Sequence, residues 1–316
     1  ISDGQHAYVP AVMEHIELAG IHSGDSACII PSQHISQENL ETIRDYTRRI
    51  AQEMHVKGLM NMQYAIEDGK IFVLEANPRA SRTVPLVSKV CNIRMVPLAV
   101  EIITSELTGK DSPVPNLKDR NIPYHGVKEA VFPFNMFQEV DPVLGPEMRS
   151  TGEVLGMAST VGEACFKSEE AAGMQLPLEG TVLITVNDDD KPEVPALAKS
   201  FHEDGFKILS TGKTAQVIED AGIPVTLVKK LHEGRPNILD LLANGDIDLM
   251  INSPIGKDSM HDDSYLRKNA IKYHVPYVTT MAMGKAAAEG IHHMKTQGNG
   301  QIKSIQEWHK DITDVD

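Results

Sequence analysis

Cysteine is scarce and scattered. Cys28, Cys91 and Cys165 are odd in number and fit no C-x-x-C spacing, which argues against a disulfide framework or a thiolate metal centre. Three buried thiols in a reducing, cytoplasmic compartment are the expectation. No stretch approaches the ~20 apolar residues that span a bilayer. The opening, ISDGQHAYVP, lacks the apolar core of a signal peptide. No basic run interrupts a chain of net charge −14, so neither nucleic acid nor an anionic membrane is expected as a partner of the whole chain. Internal repeats and low-complexity tracts are absent. So is an initiator methionine, and the opening reads like the interior of a longer protein.

What is there suffices for packed cores. A length of 316 residues suggests about two domains, and an apolar fraction of 41% with 23% charged residues is ordinary for globular chains. An acidic chain that handles anions must concentrate positive charge in a few pockets, so isolated Arg and Lys beside Gly or Thr are the places to look.

Residues 7 to 16, AYVPAVMEHI, are strand-forming in composition, and CII at 28 to 30 is a second apolar piece. From Ser36, a suitable N-cap, Leu40, Ile43, Thr47, Ile50 and Met54 recur at helical spacing. LMNMQYAI and IFVLEAN form two strands around EDGK, whose Asp-Gly pair is a hairpin signal. TVPLVSKV and MVPLAVEIITSEL predict helices with Pro near each start. Residues 108 to 172 look irregular, rich in Pro and Gly. Near residue 180 a different rhythm begins: TVLITV, FKILS, PVTLV, IDLMIN and PYVTT alternate with helical stretches, the pattern of a doubly wound parallel sheet. The boundary falls in 173 to 180. The expected fold is mixed α/β and α+β, an antiparallel lobe followed by a parallel-sheet domain.

The segment FVLEANPRASR, 72 to 82, ends a core-like strand on charged groups. Glu75 and Asn77, two apart, project to one face, and alternation would set Ile71 and Val73 on the same side. Two hard oxygen ligands suit Mg²⁺, which completes its shell with phosphate oxygens and water. Arg79 and Arg82 just beyond are placed to grip phosphate or carboxylate with planar forks. An ordinary ion pair between Glu75 and Arg79 at a sheet edge accounts for the same residues.

EANPRASRT resembles the late signature of the ATP-grasp fold. MEHIELAGIHSGDSA, KGLMNMQYAI, VKEAVFPFNMF, DPVLGPEMRSTGEV and LHEGRPNILD resemble, in order and end to end, the C-terminal portion of the carbamoyl phosphate synthetase large-subunit family. The resemblance implies an ATP-grasp ligase phosphorylating carbamate for pyrimidine and arginine biosynthesis. It implies residues 1–107 as the ATP-grasp C-terminal lobe, incomplete at its start, 108–174 as the rest of the synthetase half, and 175–316 as a regulatory domain like methylglyoxal synthase. Carried over by position, metal ligands fall on Gln63, Glu75 and Asn77, and anion-gripping arginines on Arg79 and Arg82. Gly20, Ile21, His22 and Ser23 match the loop that closes on the nucleotide, with His22 near its phosphates. ATP with Mg²⁺ or Mn²⁺ is the implied cofactor set, with K⁺ a further candidate. If Gln63 and Glu75 share a metal, a strict two-residue loop at Asp68-Gly69 would put them on opposite faces, so a bulge or an odd loop is required. No glycine-rich ATP-binding loop occurs in the sequence, so the chain alone is expected not to turn over.

The family also implies two effector sites. Glu17, Asp25, Glu129 and Thr279 match an ornithine site, although Phe132 stands where the family carries an aliphatic residue. Lys191, Thr211, Thr214, Lys230 and Asn252 match a site for UMP or IMP at the carboxyl ends of parallel strands. Pro254 replaces a hydroxyl residue there. Dispersed surface acids, and Thr residues merely capping helices, are the plain alternatives. Implied partners are a glutaminase small subunit and the remainder of the large subunit, in an oligomer. Another ATP-grasp ligase, or a free-standing metabolite-binding regulatory module, are the rival functions. Methylglyoxal synthase activity would need an aspartate near STGKT, and no carboxylate follows before Glu219.

Overall fold

A computed structural model of the chain describes all residues except 138–139, 254–259, 299, 301 and 316, and leaves the side chains at 106 and 260–263 undescribed. Pro254 lies outside the described residues.

The first unit runs β1 (Ser2–Asp3), β2 (Glu14–His15), β3 (Cys28–Ile30), α1 (Gln37–Glu53), β4 (Lys57–Gly58), β5 (Asn61–Glu67), β6 (Lys70–Asn77), α2 (Thr83–Cys91) and α3 (Met95–Thr108). It continues through β7 (Arg120–Asn121), β8 (His125–Val131), β9 (Gly152–Ala158) and α4 (Val161–Ala172). Ser36 caps α1 by accepting the Asn39 amide at 3.2 Å, and Ile43 and Ala51 bury its inner face.

Two expectations fail here. Of 7 to 16 only Glu14–His15 is strand; Pro10 lacks the donor a ladder needs. Conversely, residues 108 to 172 hold two seven-residue strands and a twelve-residue helix. The prolines fall in the connections, while Gly126, Gly152, Gly156 and Gly162 lie within the elements. The antiparallel sheet β2-β3-β8-β9 pairs residues from both sides of position 107. At Gly156 on β9 an added Cβ would lie 2.1 Å from the Ala164 carbonyl oxygen and 2.7 Å from the Ser168 nitrogen, so glycine lets α4 press onto the sheet.

The second unit alternates β10 (Thr181–Thr185), α5 (Val194–Glu203), β11 (Lys207–Ser210), α6 (Gly212–Asp220), β12 (Thr226–Leu227), α7 (Ile238–Asn244), β13 (Leu249–Asn252), α8 (Met260–Lys272), β14 (Tyr277–Val278) and α9 (Met281–Gln297). Its five strands pair in the order β12-β11-β10-β13-β14, and every pairing is parallel. Val182 and Ile184 enter one core with α5 and α9, while Leu183 and Met250 enter the other with α7 and α8. Burial on both faces explains why these strands read as unbroken apolar runs.

The chain then leaves this unit. α10 (Ile305–His309) and β15 (Thr313–Asp314) return to the first, where Trp308 joins its core against Tyr124, ring centroids 5.2 Å apart. β15 pairs with β7, so the tail expected within 175–316 packs on the other side of that boundary. α4 and α9 cross closely at Gly162 and Gly290, where a Cβ on either would sit 2.9 Å from a carbonyl oxygen of the facing helix.

Candidate functional site

The β5/β6 hairpin turns on Asp68 and Gly69, with φ of 49° and 72°, the left-handed pair expected of a two-residue loop. Pairing is regular from Glu67–Lys70 to Tyr64–Val73, then shifts so that Gln63 faces Glu75 and Asn61 faces Asn77. Leu74 is the extra residue of a bulge. The offset expected from sequence is present, and it corrects one detail. Cross-strand partners share a face, so Ile71 and Val73 go with Ile66 and Tyr64, while Glu75 and Asn77 go with Gln63 and Asn61 on the other side. Tyr64 is held to α1 by a 2.8 Å bond between its hydroxyl and that of Thr47.

A cavity of about 780 Å³ opens against the hairpin, and Gln63, Glu75, Asn77, Arg79, Arg82, His22 and Ser23 all line it. Gly20 and Ile21 do not. His22 accepts the Gly24 amide on Nδ1 at 3.0 Å, which leaves Nε2 as the protonated nitrogen, a donor. Arg82 donates to the Ser150 hydroxyl at 3.1 Å, and exposed Arg79 to the Ala80 carbonyl at 2.9 Å. Sequence reading missed three neighbours, His15, Asn61 and Glu153, which line the same space. Burial, then the charge on Lys128, pushes the His15 pKa down to about 4.

The donor set can be tested against a divalent cation. Among the described residues no group of three or more His, Cys, Asp or Glu is placed to hold a metal ion by itself. One carboxylate flanked by two amides leaves most of a coordination shell to ligand oxygens and water. That fits Mg²⁺ or Mn²⁺ bridged to phosphate better than a closed protein cage.

A second cavity, about 370 Å³, lies between the two units and collects Glu17, Glu129 and Thr279 as expected. Asp25 is a correction: its carboxylate points elsewhere, accepting the amides of Arg149 at 2.7 Å and Ser150 at 2.9 Å. Its place in the cavity is taken by Glu169 on α4, which the sequence did not single out. Glu17 accepts from the Ser26 hydroxyl and the Ala27 amide, both at 2.7 Å. Glu129 accepts the Ala130 amide on Oε1 at 2.9 Å, while its Oε2 is buried with no partner. Burial, then the charges on Glu169 and Glu17, drives the Glu129 pKa well above the usual range. Burial, then Glu17, pushes Glu169 up to about 8. Phe132 stacks on Phe134, centroids 5.0 Å apart, as part of the wall.

At the carboxyl ends of the parallel strands, Thr211 and Thr214 are buried beside the start of α6. Thr211 occupies the N-cap position without capping; its hydroxyl meets that of Thr185 at 3.0 Å. Lys230 reaches to 4.0 Å from where a Cβ on Gly212 would sit. Lys191 is paired with Asp188, and Lys213 lies 3.8 Å from the same carboxylate. An aspartate therefore does stand beside STGKT, contributed by the turn that follows β10. Asn252 is buried with both ends engaged: Arg267 donates to Oδ1 at 2.8 Å, and Nδ2 donates to the Thr185 carbonyl at 3.4 Å.

Comparison with known proteins follows this division. Residues 1–107 match the family model described as carbamoyl-phosphate synthase L chain, ATP binding domain, and 193–279 match the MGS-like domain. Three curated relatives are each named carbamoyl phosphate synthase large chain. That of Gemmatimonas aurantiaca is 47% identical over 98% of this chain and 28% of its own length. That of Methanothrix thermoacetophila is 44% identical, over 99% and 29%; one from Methanosarcina barkeri is 42% identical, over 99% and 78%. The chain thus spans under a third of the first two relatives. Among the described residues no helix is long and apolar enough to cross a membrane. This chain belongs to the carbamoyl phosphate synthase large-chain family.

Proposed function

We propose that the chain is the carbamate-phosphorylating and regulatory part of a glutamine-using carbamoyl phosphate synthase. The observation that carries this reading is the bulge that turns Gln63 and Glu75, with Asn61 and Asn77, toward the cavity shared by Arg79, Arg82 and His22. ATP would lie there with its phosphates toward the hairpin. A carbamate oxygen attacks the γ-phosphorus in line, the bond to the bridging oxygen breaks, and ADP leaves with that electron pair. Arg82, anchored on Ser150, keeps guanidinium donors for the transferring phosphoryl group, Arg79 orients carbamate, and His22 donates from Nε2 to a phosphate oxygen. Mg²⁺ or Mn²⁺ on Gln63, Glu75 and Asn77 would offset the phosphate charge when bound.

The remainder of the large chain, a glutaminase small subunit supplying ammonia, a cytoplasmic setting and an oligomeric state complete the proposal. The chain alone supplies one wall of the nucleotide site and is expected to lack native-like turnover. The test is ATP formation from ADP and carbamoyl phosphate by the complete large chain carrying Glu75→Gln or Arg82→Ala. A loss on the order of 10²–10³ in rate is expected for Arg82→Ala; unchanged rates would remove these residues from the site.

The regulatory part of the reading has its own support. A cavity with three buried carboxylates and an unpartnered Glu129 Oε2 suits a ligand with two amino groups, ornithine in this family. Thr211, Thr214 and Lys230 suit the phosphate of UMP or IMP.

A further inference from the structure

Between β8 and β9, residues 141 to 150 are held at both ends by polar groups from different parts of the molecule. At one end Asp141 receives two bonds from Arg267 of α8, Nε to Oδ1 at 3.0 Å and Nη2 to Oδ2 at 2.9 Å. At the other end Asp25, fully buried, holds the amides of Arg149 and Ser150. Ser150 in turn receives Arg82, and the Gly145 carbonyl accepts the His22 amide at 2.8 Å. Arg149 closes the segment by donating from Nη1 to the Asp141 carbonyl. One stretch of chain thus touches Arg267 and two residues of the large cavity.

Arg267 has its third commitment in the parallel-sheet unit, where Nη1 donates to Asn252 Oδ1 at 2.8 Å. Its side chain is 1% exposed, so water cannot replace a partner that leaves. A ligand that turns the Asn252 amide would take Oδ1 away from the guanidinium that also grips Asp141. Burial raises the Asp141 pKa, but hydrogen bonds from Arg267 and Ser264 and the Arg267 charge outweigh it and hold the carboxyl below its usual range. The pair is charged, and its fork geometry is fixed.

From these contacts we infer that Arg267 links the two sites: a phosphorylated nucleoside drawing on Asn252 changes how Arg267 holds Asp141, and so moves residues 141 to 150 together with Arg82 and His22. Asp141 and Arg267 are positioning residues in this device. The inference rests on the nucleotide reading above, and its test separates the two.

UMP and IMP are titrated into the chain by calorimetry, and amide exchange at Arg149 and Ser150 is followed with and without each nucleotide. In the unsubstituted chain, bound nucleotide should change exchange at these amides by roughly fivefold or more. Asp141→Asn should still bind nucleotide but lose that response, and Asp141→Glu should restore part of it, which a merely structural role would not do. Binding without any response at 149–150 in the unsubstituted chain sinks the coupling and leaves the nucleotide site standing. So does a response that survives Asp141→Asn. Absence of binding sinks both. Should Asp141→Asn fail to fold, the unsubstituted comparison still decides.

Discussion

Glu169→Gln should make the protein more stable at alkaline pH and leave it almost unchanged in acid. In the folded chain burial, then the neighbouring charge on Glu17, carries the Glu169 pKa from 4.5 to about 8. Below pH 4.5 folded and unfolded chains both hold the proton, and Glu169 contributes no pH dependence. Between 4.5 and 8 the folded chain keeps a proton that the unfolded chain releases, so stability falls as pH rises. Above 8 the loss is complete. At ~1.4 kcal/mol per pH unit the full effect is on the order of 5 kcal/mol. Glutamine keeps the shape and carries no charge, so the variant should gain on the order of 3–5 kcal/mol at pH 9 and under about 1 kcal/mol at pH 5. Guanidinium denaturation followed by the single tryptophan, Trp308, reads this directly, because Trp308 lies in the core of the same unit. A difference between the two proteins that is constant from pH 5 to pH 9, or a variant weaker at pH 9, refutes the argument from burial and like charge.

Gly156→Ala should cost about 3 kcal/mol or more, since its Cβ would meet backbone atoms of α4 at 2.1 and 2.7 Å, and backbone cannot step aside as a side chain can. Denaturation midpoints check it, and a loss below about 1 kcal/mol would show that α4 can lift from the sheet. Trp308→Ala should cost about 3–5 kcal/mol and free the β15–β7 pairing. Faster proteolysis within residues 302 to 315 is the expected sign, and an unchanged cleavage rate would show that the tail is held by other contacts.

Local signals carried much of the fold. Ser36 marked a helix start because its hydroxyl reaches an amide three residues on, and Asp68-Gly69 marked a hairpin because both accept positive φ. Five apolar runs between helices marked a parallel sheet because strands covered on both faces need no polar alternation. An offset in the hairpin, by an odd loop or a bulge, was expected from the shared metal that the resemblance implies for Gln63 and Glu75, and the structure makes it a bulge at Leu74. What escaped was non-local. Composition at 108 to 172 shows its turns and hides β8, β9 and α4, whose stability comes from β3 and α9 elsewhere in the chain.

Sequence by itself determined the family, the hairpin that carries Gln63, Glu75, Asn77 and the arginines beyond it, and the threonines at a strand end, because each is read from short stretches of the chain. Only the tertiary structure decided that Asp25 clamps the 149–150 backbone while Glu169 takes its place among the buried acids. It also decided that Asp188 approaches Lys213 of STGKT, that Arg267 ties Asn252 to Asp141, and that the C-terminal tail returns to the first core. Those arrangements follow from burial and charge between segments far apart in the chain, and neither quantity exists until the chain has folded.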